Sequence, residues 1–328
     1  LFKLQATFLL LFILTVSASS QSTFKRYTTL MGCDFDITVV AEDSIVAEGY
    51  IKLATDEISR IEKLISSWDA NSQTSLINQK AGINPVVVDR ELFDLIDRAI
   101  GLSHITDGAF DITYASMDNI WKFDGSMTHM PSVEEINSSV ANVGYQNIKL
   151  NKQHSTVYLE RKGMKIGFGA IGKGYAADRA KALLMSKGVT AGIINASGDM
   201  NTWGRQIDGS PWKVAITNPL NKAHAFGLLP ISDAAVVTSG SYEKHVTFDD
   251  KRYAHIIDPR TGYPTTGLMS VTVFAPMAEL ADALATSVFV MGKDAGLDRI
   301  NQMNGIECIL IDDHGNIFTS DNLEINKE

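Results

Sequence analysis

Gly167-Phe168-Gly169-Ala170-Ile171-Gly172-Lys173-Gly174 runs straight into Tyr175-Ala176-Ala177-Asp178-Arg179 near the middle of a 328-residue chain. Glycine recurs too densely there for the interior of a strand or helix. From Tyr175 to Lys187, Ala176, Ala180, Leu183 and Leu184 fall on one helical face. Upstream, strands are predicted at Gln146 to Leu150 and Val157 to Glu160, and the segment Asp124 to Asn142 reads as a surface excursion. Further back, Asp34 to Val40 alternates and is β-branched, as a strand requires, and Cys33 sits at its edge. Two helices follow it. One, Ser44 to Ser66, repeats Ile51, Ala54, Ile58, Ile61 and Ile65 at three- and four-residue steps; the other, Arg90 to His104, turns Leu92, Leu95, Ile96 and Ala99 inward and breaks at Asp107-Gly108.

Downstream the pattern changes to short strands, at Ala191 to Asn195, Trp212 to Thr217, Ala234 to Thr238, Tyr253 to Ile257 and Met269 to Ala275. A helix from Ala278 to Met291 and a last strand from Glu307 to Ile311 complete the chain. Strands grouped in runs, with helices between the runs, predict an α+β fold: mixed sheets with packed helices in two intimately associated lobes. Without an internal repeat or low-complexity linker, residues 22–328 read as one catalytic unit.

Composition narrows the function. The chain is 45% hydrophobic and 20% charged, ample for a large core, and its net charge of -9 comes without a long basic run. Nucleic acid and anionic lipid reward clustered Lys and Arg, so no nucleic-acid partner is expected. Leu1 to Gln21 carries Lys3, an apolar run from Phe8 to Val16 and then small polar residues, the layout of a signal peptide over residues 1–21. That run is shorter than the roughly 20 residues of a stable span, which favours removal over retention as an inner-membrane anchor. Export, to a periplasm, is the expected localisation. Cys33 and Cys308 are too few and too far apart for a disulfide framework.

Four stretches can carry chemistry. The glycine segment brings backbone N–H groups, a helix start and Lys173 together, as phosphate binding needs, or it is a tight turn with close packing. Asp282 and Thr286 are four apart on one helix face within an apolar run. Two such oxygen donors suit a hard cation such as Mg2+; alternatively, Asp282 and Glu279 answer the positive end of their helix. His255 ends a predicted strand ahead of the turn Asp258-Pro259-Arg260-Thr261-Gly262, placed either to take a proton from a hydroxyl or to serve the structure. Asn195-Ala196-Ser197-Gly198-Asp199 is a polar loop or a turn. Zinc-type His/Cys clusters and a Gly-x-Ser-x-Gly turn are lacking, which disfavours zinc hydrolase and serine esterase chemistry.

In chain order, these motifs join Met31-Gly32, Ser67-Trp68, Thr106-Asp107-Gly108-Ala109-Phe110-Asp111, Asn119-Ile120-Trp121, Thr238-Ser239-Gly240 and Ala281-Asp282-Ala283-Leu284-Ala285-Thr286. Together they resemble the ApbE family of FAD:protein FMN transferases, from Met31 to the last strand. The resemblance implies an active site between two lobes, with FAD as substrate and Mg2+ on its pyrophosphate. By position it assigns flavin and adenine contacts to Met31, Trp68, Ala109, Phe110, Asp111 and Ile256, and phosphate contact to Lys173. It gives the metal to the carbonyls of Ala170 and Ala285 and the side chains of Asp282 and Thr286. His255 and Asp282 become the catalytic pair, and the implied reaction moves FMN to a threonine of an acceptor protein, releasing AMP. A membrane redox-complex subunit is the acceptor the resemblance implies.

Two positions depart from the family pattern. Cys33 stands where Thr is usual, and Gly167 where Asp often precedes the glycines. An FAD pyrophosphatase giving FMN and AMP is the rival reaction on the same scaffold, and an exported flavin-binding protein without turnover is the rival outside enzymology.

Overall fold

β1 (Ser22–Leu30) and β2 (Cys33–Ala41) pair as a hairpin whose turn is Met31-Gly32, with φ of 52° and 72°. Two positive φ values in a two-residue loop give the turn whose twist matches that of the flanking strands. The computed structural model describes residues 21–217, 225–241 and 244–323. The leader reading, apart from Gln21, lies outside the described residues.

Asp43 opens α1 (Ser44–Ile65) by accepting from the N–H groups of Ile45 and Val46 at 2.8 and 2.9 Å. The five apolar positions read from the sequence are buried, and they seat the helix on the sheet. α2 (Gln73–Gln79), β3 (Val86–Val87) and α3 (Arg90–Ile105) follow. The excursion between α3 and the next strand is more ordered than its polarity implied. Asp124 to Asn142 holds α4 (Val133–Ser139), started by a reciprocal Ser132/Glu135 capping box, and just ahead of it lies a buried Trp121 whose indole donates to the Gly262 carbonyl at 2.9 Å.

β4 (Ile148–Asn151) and β5 (Thr156–Leu159) complete a small sheet ordered β3-β5-β4. α5 (Gly172–Ser186) begins three residues earlier than the helix read from the sequence, so Gly172, Lys173 and Gly174 form its first turn. Gly174, Tyr175 and Ala177 are buried along with Ala176, Ala180 and Leu184, while Leu183 is half-buried. Then come β6 (Gly192–Ala196), β7 (Asp199–Trp203), β8 (Trp212–Thr217), β9 (Ala225–Ile231) and β10 (Ala235–Gly240). β11 (His245–Phe248) and β12 (Lys251–Ala254) form a hairpin. The strand expected to reach Ile257 stops at Ala254, because the chain turns through Asp258 to Gly262 and closes with an Ile257 to Pro264 bridge. β13 (Leu268–Ala275), α6 (Ala278–Met291), α7 (Lys293–Asn301), β14 (Glu307–Asp312) and β15 (Ile317–Thr319) end the described chain.

The architecture is α+β. An eight-stranded sheet runs β1-β2-β6-β7-β10-β13-β14-β15, and every pairing among the described strands is antiparallel. Alternation divides its residues between two faces. Ala235, Val237, Cys308 and Leu310 join the large core under α1, α5 and α6, whereas Val236, Ile309 and Ile311 pack beneath the β8-β9 hairpin. The large core continues without a break into Leu92, Phe93 and Leu95 of α3 and Val157 and Leu159 of the small sheet.

The crossing of α5 and α6 positions the chemistry. Asp178 of α5 accepts from the N–H groups of Ala278 and Glu279 at 2.9 and 2.8 Å, capping α6 from a neighbouring helix. A Cβ on Gly174 would stand 2.2 Å from the Ala278 carbonyl oxygen, so the two backbones meet where no side chain fits.

Candidate active site

Where α5 and α6 cross, a cavity of about 970 Å³ opens, in the size range of nucleotide-sized ligands. α6 contributes Asp282 and Thr286; Gly169, Ala170 and Lys173 come from the glycine segment and the start of α5. Ala109, Phe110, Asp111 and Tyr114 form another wall, and His255 and Ile256 stand on the turn after β12. Trp68, 95% exposed, stands at the rim shared with an adjoining cavity of about 380 Å³, which Met31 lines. Of the predicted site residues, only Ala285 faces neither cavity. It is wholly buried in the core side of α6.

The glycines are there for close packing. The N–H groups of Gly167, Gly169, Gly172 and Gly174 donate to the Ile112 carbonyl, the Tyr114 hydroxyl, the Phe168 carbonyl and Asp282 respectively. A Cβ would meet the Tyr114 hydroxyl at 2.5 Å from Gly169 and Ile65 at 2.8 Å from Gly172. The phosphate-cradle reading of these glycine N–H groups therefore gives way to the packing one. Gly174 lies in the first turn of α5, where an N–H has no carbonyl of its own helix to meet; it donates to Asp282 Oδ2 at 3.1 Å. Ala170 precedes the N-cap Ile171, so its carbonyl stands outside the helix ladder, at a residue that lines the cavity.

Charge is concentrated beside it. Lys173 forms an ion pair with Asp199, which is 2% exposed at the start of β7. Ser197 and Gly198, with φ of 52° and 103°, make the hairpin turn that presents Asp199, so this stretch is a turn as well as a source of chemistry. Burial opposes the Lys173 charge, yet Asp199 and Asp282 outweigh it and hold the ammonium pKa above its ordinary value. Burial raises the Asp199 carboxyl against the pull of Lys173. Burial first, then the Asp199 charge, push Asp282 from 3.8 up to about 7.

The helix-end account does not fit Asp282, which lies beyond the first turn of α6; Glu279 pairs with Arg98 at 2.7 Å. Two carboxylates meet one ammonium at the cavity wall, so with both ionised the group carries a surplus negative charge. Oxygen donors from Asp282, Thr286 and the Ala170 carbonyl suit a hard divalent cation, which would balance that charge. No group of three or more His, Cys, Asp or Glu side chains gathers among the described residues, so such an ion would rely on hydroxyl and carbonyl ligands.

The raised Asp282 pKa fixes a pH dependence. Between pH values of about 4 and about 7 the folded state keeps a proton that the unfolded state has released, so this group's contribution to stability falls as pH rises through that window. In chelator, the melting temperature is expected to fall across it, and Asp282→Asn to flatten the fall. An unchanged profile in the variant would remove this assignment.

His255 is exposed, and its Nδ1 lies 3.2 Å from the Lys244 carbonyl oxygen, which also accepts the His255 N–H at 3.1 Å. A carbonyl only accepts, so in the neutral ring a proton on Nδ1 would satisfy this contact. Phe123 contacts the imidazole edge-on at a centroid distance of 6.4 Å. Asp111 has a structural duty: its carboxylate accepts from Thr113 and from the Tyr145 N–H, and burial still raises its pKa. Thr286 stands 3.3 Å from the Ser239 hydroxyl. Tyr114 is a site residue that sequence reasoning did not single out, and Asp199 entered it only as part of a polar stretch, without a role. The adjacency of Gly198 and Asp199 to a strand was visible, but the pairing with Lys173 arises only in three dimensions.

Known proteins resemble this chain over most of its length. The description of the ApbE family matches residues 31–310. A relative from Klebsiella pneumoniae (strain 342), named FAD:protein FMN transferase, is 32% identical over 304 residues, covering 92% of this chain and 93% of its own length. The ApbE protein of Thermotoga maritima superposes with a TM-score of 0.82 at 31% identity, over 92% of this chain and 97% of that one. The apo flavinyl transferase ApbE of Pseudomonas stutzeri gives 0.81 at 26% identity, over 92% and 95%.

Proposed function

The chain belongs to the ApbE family, which makes it a transferase of FMN from FAD to protein, and we propose that it uses Mg2+, a threonine acceptor and AMP as leaving group. One observation carries the finer reading: α6 and the glycine segment meet at a single cavity, with Asp282, Thr286 and Ala170 on its wall.

Those three groups would hold the cation, which when bound neutralises charge spread over the two phosphates. Lys173, fixed by Asp199, keeps an ammonium beside the same phosphates. Trp68 and Phe110 offer ring surface for the isoalloxazine and adenine, and Met31 and Ile256 complete their contacts. The acceptor oxygen bonds to the FMN phosphorus as the bond to the bridging oxygen breaks and AMP departs; His255 takes the hydroxyl proton. The reading also includes export: residues 1–21 are a leader, removed or kept as an inner-membrane anchor, and the acceptor is a membrane redox-complex subunit facing the periplasm.

Incubation with FAD, Mg2+ and an acceptor flavoprotein subunit tests this. A mass gain of FMN on an acceptor threonine with stoichiometric AMP is expected. Free FMN without that gain would make the chain a pyrophosphatase, and bound FAD without AMP a binding protein. His255→Ala is expected to slow transfer roughly a hundredfold or more while FAD affinity stays within about threefold. Equal losses in both would deny His255 the role of base.

A further inference from the structure

Tyr114 sits in a single 3-10 turn, residues Ile112–Ser116, whose start Asp111 caps through the Thr113 N–H at 2.7 Å. That turn lays the phenol across the glycine segment. Its oxygen accepts the Gly169 N–H at 3.1 Å, and a Cβ on Gly167 would lie 3.1 Å from Ala115 and 3.5 Å from the Tyr114 hydroxyl. Tyr114 and Ala115 thus fill the space into which a side chain at 167 would project, at the position where a carboxylate is often found.

A phenol that accepts one hydrogen bond still has its own proton to donate. Among the described residues Tyr114 donates to no protein acceptor, and it lines the cavity that Asp282, Ala170 and Lys173 share. Lys173 has its own protein partner in Asp199, and the Tyr114 hydroxyl is a neutral donor lying directly over the glycine segment.

We infer that Tyr114 is a phosphate-binding residue: held in place by the Gly169 N–H, it donates its hydroxyl proton to a diphosphate oxygen of the dinucleotide. This rests on FAD being the substrate. A neutral donor suits the task because Gly167 contributes no charge, and the phenol can approach an anion without adding to the negative charge of Asp199 and Asp282.

The test measures FAD, ADP and riboflavin binding to the full chain and to Tyr114→Phe, by calorimetry with Mg2+ present. Loss of a hydrogen bond to a charged group is expected to weaken FAD and ADP about tenfold and to leave riboflavin unchanged. FAD and ADP affinities within twofold of wild type would overturn the proposal, as would equal weakening of riboflavin. Wild-type protein that binds none of the three would overturn the substrate reading instead. Gly169→Ala gives an independent check, since its Cβ would press on the phenol oxygen at 2.5 Å. It should weaken FAD in the wild-type background and add little in Tyr114→Phe; a full additive loss would contradict the assignment.

Discussion

Replacing Asp282 by alanine is expected to lower AMP release from FAD by roughly a thousandfold or more at saturating Mg2+. A bound divalent ion contributes several kcal/mol to phosphoryl chemistry, and each 1.4 kcal/mol or so is tenfold in rate. Asp282 is the carboxylate on α6 at the cavity wall, and without it the surplus negative charge beside Lys173 disappears. Asp282→Asn separates charge from shape, because the amide oxygen can still accept the Gly174 N–H at its 3.1 Å position. If the asparagine variant keeps more than a tenth of the wild-type rate, the ion is not held by this carboxylate. Its thermal melt without metal serves as the folding control.

The second large effect is on folding. Gly174→Ala is expected to destabilise the protein by about 3 kcal/mol or more, because overpacking against backbone has no flexible side chain to absorb it. The added Cβ would lie 2.2 Å from the Ala278 oxygen, 2.5 Å from its carbonyl carbon and 2.8 Å from the Glu279 nitrogen. A chain of this size should then lose roughly 5–10 °C in Tm. Gly49→Ala is the matched control: it is an exposed helical position in α1 with nothing within 4 Å, so the same substitution should stabilise by about 0.5–1 kcal/mol. Equal melting of the two variants would refute the close crossing of α5 and α6.

The sequence made the long elements legible because their apolar residues repeat. The Ala278 to Met291 helix and the β-branched strand before α1 emerge with little change. β1, β3, β7, β9, β11 and β15 went unread, since a strand is defined by its partner more than by its own pattern. The start of α5 was misplaced because glycines resemble a loop until the neighbouring helix that excludes their side chains is known. In the site, Asp282, Thr286 and His255 stood out by chemical type and motif order. The role of Asp199 and the presence of Tyr114 did not, because one depends on an ion pair twenty-six residues back and the other on a glycine fifty-five residues ahead.

With its glycine N–H groups already committed inside the protein, the segment beside α5 offers an anion the Lys173 ammonium, and on the proposed reading a cation beside Ala170 and Asp282 adds to that attraction. Occupancy by nucleotide and by metal are then thermodynamically linked, each strengthening the other by the same factor. Divalent ion supply in the compartment would set how much of the enzyme is loaded, even when flavin is plentiful.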